Sequence, residues 1–246
     1  MPQAASHIEA ESLNVSVKLN DKLCQVLTLT FGSQPGVELT IRLLCDAGVN
    51  LQELRTLEVR VAGAESSLDE QSNDYSCESE ALAFVSLRGT GENAWVGSDA
   101  KQIQIERRFQ FIGTTADTMR VWDLRRAIQT LRTECPELKT LVLRADGRGQ
   151  EIVLLASLFE PPVSRIEFTD PWPTDPWPAD HEQPAILNVS RTLPIGLLPA
   201  LAAWRTDLTM AASRSDIATS AAFTEHQNWT GKSLQFGEQK NAAKRH

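Results

Sequence analysis

Apolar residues alternate with polar ones in the first half of the chain and change period in the second. Val26, Leu27 and Leu29 precede the turn-rich run Gly32 to Gly36, and Val37, Leu39, Ile41 and Leu43 follow it in strict alternation. That pattern predicts two strands joined as a hairpin. Leu57, Val59 and Val61 alternate as a third strand. The run from Ala81 to Leu87 is almost continuously apolar, as expected of a strand buried on both faces. Then the period lengthens. Val121, Leu124, Ile128 and Leu131 recur at helical spacing, with Thr115 or Asp117 placed to cap the helix.

From there strands and helices alternate to the end. Leu138 to Leu143 reads as a fifth strand, Glu151 to Phe159 as a helix apolar nearly all round, and "SRIEFTD" as a sixth strand. "TLPIGLLPALAAW" reads as a helix entered through Pro194, and "DLTMAAS" as a seventh strand. "SDIATSAAFTEHQNW" is a helix with Ser215 or Asp216 as cap, and "KSLQFGE" is an eighth strand. Such alternation means a mostly parallel sheet with helices on both faces, an α/β class. Residues 1–22 read as a polar lead-in, 23–237 as one α/β domain, and 238–246 as a basic tail expected to be disordered.

Composition narrows the function classes. The 246 residues are 41% hydrophobic and 23% charged, ordinary for a globular domain, and no apolar run approaches the length of a membrane span. A formal net charge of −8 argues against a nucleic-acid partner, because phosphate binding draws on Lys and Arg. The opening "MPQAASHIEAESLNVSV" lacks the basic and apolar regions of a secretory signal, so the expectation is cytoplasmic. Cys24, Cys45, Cys77 and Cys135 show no CxxC spacing, and the histidines are scattered. Neither a metal site nor a cofactor is expected, and buried free thiols are the default.

The candidate chemistry lies in "TLVLRADGRGQEIVLLASLFEP": a strand, a turn of small residues, and an apolar helix. That is the outline of a nucleophile elbow, in which a serine stands between small flanks. Here Ala145 and Gly149 are the flanks, and Asp146, Gly147 and Arg148 form the turn, with Gly147 at the nucleophile position. Taking Asp146 as nucleophile would put Arg144 where a small residue is needed, so that frame is rejected. "DPWPTDPWP" follows the sixth strand with two DPWP copies. Trp172 and Trp177 are therefore candidate ligand-binding residues, able to stack on a sugar or to pack back onto the domain.

"FVSLRGTGENAW", followed by "RRFQFIGTTADTMRVWDLRRAIQTL", resembles bacterial α/β-hydrolases of the acetyl-xylan-esterase and dienelactone-hydrolase-like kind. The positions that carry it are Arg88, Gly89, Gly91, Met119, Arg120, Asp123, Arg126, Ala127 and Leu131. The agreement in element order runs from about residue 25 to 237. The resemblance implies an ester hydrolase with a Ser, Asp and His triad. The serine position holds Gly147. The acid position falls at Asp216, which also suits a helix cap, with Asp170 as a second candidate. The histidine position, after the last strand, offers only His246; His226 lies in the preceding helix, His181 in a Pro-rich loop and His7 in the lead-in. Asp123 is placed to pair with Arg88 or Arg120. The expectation is a catalytically degenerate hydrolase domain kept as a binding or structural module. The alternatives are a carboxylic-ester hydrolase with an unrecognised nucleophile, or one half of an assembly whose partner completes the site. A carbohydrate or small ester would be the ligand, and the oligomeric state is open.

Overall fold

The computed structural model describes residues 15–19, 22–61, 79–172, 186, 189–212, 218–226 and 234–236. Among them nine strands form one sheet: β1 (Val15–Leu19), β2 (Lys22–Gln34), β3 (Val37–Asp46), β4 (Thr56–Val61), β5 (Ala81–Val85), β6 (Thr140–Ala145), β7 (Arg165–Pro171), β8 (Asp207–Ala211) and β9 (Leu234–Phe236). Their spatial order is β1-β2-β3-β5-β4-β6-β7-β8-β9. β1, β2, β3 and β5 pair antiparallel, and from β5 to β9 every pairing is parallel.

Eight of these are the strands that the pattern predicts. The ninth, β1, falls inside the segment read as a polar lead-in and pairs with β2 from Val15↔Val26 to Leu19↔Lys22. Val15, Val17 and Leu19 alternate with Ser16 and Lys18, but five residues at a sheet edge give too short a pattern to stand out. The hairpin turn is Pro35-Gly36, with Gly36 at φ +76°, a conformation that favours glycine at this position of a type II turn.

The described helices are α1 (Asp99–Phe111), α2 (Ala116–Glu134), α3 (Gly149–Ser157), α4 (Val189–Thr192), α5 (Leu198–Ala203) and α6 (Ala218–His226). Thr115 caps α2, its hydroxyl accepting from the Thr118 amide at 3.1 Å. In place of the single helix expected over 192–204, α4 ends at Thr192, a 3-10 turn follows at Ile195–Leu197, and α5 covers Leu198–Ala203. Pro194 and Pro199 each lack the amide that would carry a helix through. The pattern misses α1 entirely, because none of its residues is buried and it has no apolar stripe to read.

Register explains the core. Leu57 pairs with Ala81 and Leu141, Val59 with Ala83 and Leu143, and Val61 with Val85 and Ala145. Parallel neighbours in register share a face, so these three rows form one apolar surface, closed by Leu124, Ile128 and Leu131 of α2 and Ile152, Val153 and Leu155 of α3. The opposite face carries a smaller cluster of Cys24, Leu44, Leu82 and Phe84. Beside it runs an ionic ladder in which Glu58 bonds Arg60 at 2.8 Å and Arg144 at 3.4 Å, and Arg144 bonds Glu167 at 2.7 Å.

The strand order also locates the place where a ligand would bind. The connection after β4 leads to β5 on one side, while that after β6 leads to β7 on the other. Adjacent strands whose connections part in opposite directions open a crevice beyond their carboxyl ends. Those ends are Val61 and the turn at Asp146, Gly147 and Arg148.

Candidate active site

The elbow forms as the sequence expects. β6 ends at Ala145, Gly147 turns at φ +48°, and α3 starts at Gly149. The Gly149 amide donates to the Asp146 carbonyl at 2.9 Å and the Gln150 amide to the Gly147 carbonyl at 3.1 Å. The small flanks have a steric cause: a Cβ on Gly149 would lie 3.2 Å from the Ala145 Cβ. Gly147 is different. Among the described residues a Cβ there would meet nothing within 4 Å, which leaves space for an outward side chain.

Around this turn the polar groups are engaged with one another. The Gly147 amide donates to Asp170 Oδ2 at 3.3 Å, and Gln150 Nε2 donates to the Asp170 carbonyl at 3.2 Å. Arg148 leaves the elbow to bond Asp117 Oδ2 at 2.6 Å, and Asp117 Oδ1 takes Arg120 Nη1 at 2.8 Å. Arg120 Nε reaches the Arg88 carbonyl at 3.0 Å. Arg88 in turn grips Asp123 through Nε at 2.7 Å and Nη2 at 2.5 Å, and its amide donates to the same carboxylate at 3.2 Å. Ser33 Oγ, from the hairpin, donates to Asp123 as well. One continuous chain of ion pairs and hydrogen bonds therefore runs from the elbow through the start of α2 to the hairpin.

Of the two partners expected for Asp123, the structure selects Arg88, and Arg120 goes to Asp117. The RGTG turn owes its first glycine to packing. Gly89 has φ +71°, and a Cβ on it would lie 2.8 Å from the Trp95 ring. Trp95 is itself stacked on Phe109, with centroids 6.1 Å apart, and lies beneath the Arg120 guanidinium. Arg125 bonds Glu160 at 2.7 Å and lies over Trp122 and Phe159, so it ties α2 to the segment after α3.

Trp172 is where the sequence reading needs correction as a binding residue. It is 3% exposed and stacks on Phe168 with centroids 6.2 Å apart, within the main core. An indole pointing inward cannot offer a face to a sugar. Trp177, Asp216, His7, His181 and His246 lie outside the described residues, as does the basic tail; His226 stands on α6. Sequence reasoning missed the bond from Arg148 to Asp117. Its partners are 31 residues apart, and only the Asp117-Arg120 spacing, three along a helix, leaves a local trace.

Electrostatics single out Asp146. Partial burial, and after it the charge of Asp170, push its carboxyl above the ordinary value, while Arg60 opposes them. A carboxyl raised in the folded state holds its proton more tightly there than in the unfolded chain. Stability therefore falls as pH rises from the ordinary carboxylate value through the raised one, and the penalty is complete above it. Asp146→Asn is expected to be more stable than the parent at about pH 7 and indistinguishable from it at about pH 3, where both are neutral. Thermal melts at the two pH values check this; a variant less stable at both would contradict it. Burial also raises the Cys135 thiol to about 12, so it is an inert core group rather than a nucleophile. Among the described residues no cluster of three or more His, Cys, Asp or Glu could hold a metal, and no helix is long and apolar enough to cross a membrane.

No family model and no curated protein matches the sequence. Solved structures do match the fold. A Bacteroides fragilis protein assigned as an acetyl xylan esterase aligns with a TM-score of 0.66 at 10% identity, over 98% of this chain and 72% of that one. Acetyl xylan esterase 1 from a Thermoanaerobacterium species aligns at 0.55 and 13% identity, over 95% and 82% of the two chains. The acetyl xylan esterase from Paenibacillus sp. R4 aligns at 0.55 and 10%, over 95% and 83%. Strand order, elbow and structural neighbours agree: the chain has the α/β-hydrolase fold.

Proposed function

We propose that this chain is a catalytically degenerate α/β-hydrolase domain that serves as a binding or structural module. The observation that carries the reading is Gly147: the outward position of a well-formed elbow carries no side chain, and among the described residues the space beside it is open. Acyl transfer on this scaffold needs a nucleophile, a base to take its proton and an acid to orient the base. Among the described residues the groups that converge on the turn, Asp170, Arg148 and Asp117, are bound to each other or to its backbone. A fluorophosphonate probe is expected to leave the full chain unlabelled under conditions that label an active serine esterase, and stoichiometric labelling would end the proposal.

The ligand class we infer is a small ester or a carbohydrate, by analogy with neighbours named as acetyl xylan esterases. With Trp172 buried, a stacking role falls to Trp177. Titration with short xylo-oligosaccharides should quench tryptophan fluorescence, and the quench should disappear in Trp177→Ala. A flat titration of the parent would remove the carbohydrate arm. The runner-up reading is an ester hydrolase with a different nucleophile. Those same neighbours favour it, and loss of turnover on changing Asp146, Asp216 or a histidine would identify it.

A further inference from the structure

At the end of the helical layer remote from the elbow, exposed aromatic side chains meet a group of arginines. α3 runs from the elbow to Ser157, and Phe159 follows it, 62% exposed. Trp204, just past the end of α5, is 51% exposed. Their chain neighbours bring the two together: Arg205 Nη2 donates to the Glu160 carbonyl at 2.6 Å. The Arg125 guanidinium lies 5.3 Å from the ring centroids of both Trp122 and Phe159. Glu160, 3% exposed, accepts from Arg125 Nε at 2.7 Å and from Gln129 Nε2 at 3.0 Å. Gln129 in turn accepts from Arg126 at 2.6 Å, and Arg132 donates to the carbonyls of Pro161 and Pro162, each at 3.0 Å. Among the described residues this web joins four guanidiniums to one carboxylate. It is a local excess of positive charge on a chain whose formal net charge is −8.

We propose that this surface docks an acidic segment of a partner protein, with Trp204 and Phe159 as its anchors and Arg126, Arg132 and Arg205 supplying the charge. Single exposed aromatics are ordinary on a protein surface, but adjacent ones among arginines have the composition that dominates binding energy at interfaces. The guanidiniums are oriented by carbonyl and amide oxygens, which fix them without neutralising them. Little side-chain freedom is therefore left to lose on binding. The excess charge selects the occupant. A second copy presenting the same surface would set arginines against arginines. A long nucleic acid would run beyond the patch into the field of a chain carrying −8, whereas a short acidic segment need cover only the patch. The surface is separate from the crevice at the elbow, so esterase turnover by the parent would leave this inference standing.

The full chain is titrated into a fluorescein-labelled peptide of glutamates with leucine at every third position, and binding is read by fluorescence anisotropy. Saturable binding is expected, and it should weaken as salt is added. Trp204→Ala should weaken it about tenfold, as loss of an interface anchor does. Arg126→Glu reverses one charge on a half-buried side chain and should weaken it by a similar factor. Arg107→Glu makes the same charge change on the exposed helix α1 and should leave binding as it is. Parent-like thermal melting of Arg126→Glu separates a lost contact from a lost fold. Three results would each overturn the proposal. The first is no saturable binding of the acidic peptide by the parent, and the second is equal weakening by Arg107→Glu and Arg126→Glu. The third is tighter binding of a poly-uridylate of the same charge, lost in Trp204→Ala, which would make the surface a nucleic-acid site.

Discussion

Asp123→Ala should be among the most destabilising single changes in the chain, costing about 3–5 kcal/mol, the range found when one member of a buried ion pair is removed. Asp123 is 0% exposed and sits between Arg88, which offers it both side-chain and backbone donors, and the hydroxyl of Ser33. Removing its carboxylate leaves the Arg88 guanidinium charged, 7% exposed and short of its main acceptor. Gln34 Oε1, at 3.2 Å from Arg88 Nη1, is too weak a substitute for an anion. The hairpin, the RGTG turn and α2 meet at this point, so the loss is expected to be cooperative. Urea unfolding should show a lower midpoint with little change in slope. Asp123→Asn, which keeps shape and one acceptor, should lose less. A midpoint within error of the parent in Asp123→Ala would show that the pair does not hold these elements together.

Trp172→Ala should cost a similar amount, about 3–5 kcal/mol, as large-to-small changes of buried aromatics do. Trp172 is 3% exposed, stacks on Phe168 and belongs to the cluster that joins Ile166 and Phe168 of β7 to Leu208 and Met210 of β8. Truncation would leave a cavity at the end of β7, and the chain can close it only by pulling the segment off the elbow. The variant should therefore also weaken the bond from Asp170 to Gly147 and speed exchange of that amide. Had Trp172 been a stacking platform, the same change would leave stability nearly intact and abolish sugar binding. Denaturation and titration on one variant thus distinguish a core role from a binding role.

The fold was largely legible because its strands announce themselves. Ala81 to Val85 is apolar throughout and buried throughout, and the alternation of β3 and β4 places their inward residues correctly. The elbow was legible for a steric reason: Ala145 and Gly149 touch, so their smallness is visible in the sequence. Three features were hidden. α1 buries nothing, so no periodicity marks it. The ionic chain from Arg148 to Ser33 is assembled from four separate segments, and charged residues look alike whether they are solvated or paired. Trp172 sits in a proline-rich run whose composition suggests an open loop, and only tertiary contact with Phe168 decides that its ring turns inward. Local chemistry reads out turns and strands; the partners of charges and aromatics are decided by long-range contacts that a single sequence does not display.

A correctly built elbow without a nucleophile is expected to do no acyl transfer. The most direct measurement is hydrolysis of an aryl acetate by the purified parent chain and by Gly147→Ser at neutral pH. The parent should not exceed the buffer rate. On the proposed reading Gly147→Ser should remain inefficient, since its hydroxyl would lack a placed base and a serine at φ +48° is strained by roughly 1–3 kcal/mol. Strong turnover by the parent, abolished by one substitution at Asp146, Asp216 or a histidine, would contradict the account, because it would show a working catalytic apparatus on this fold.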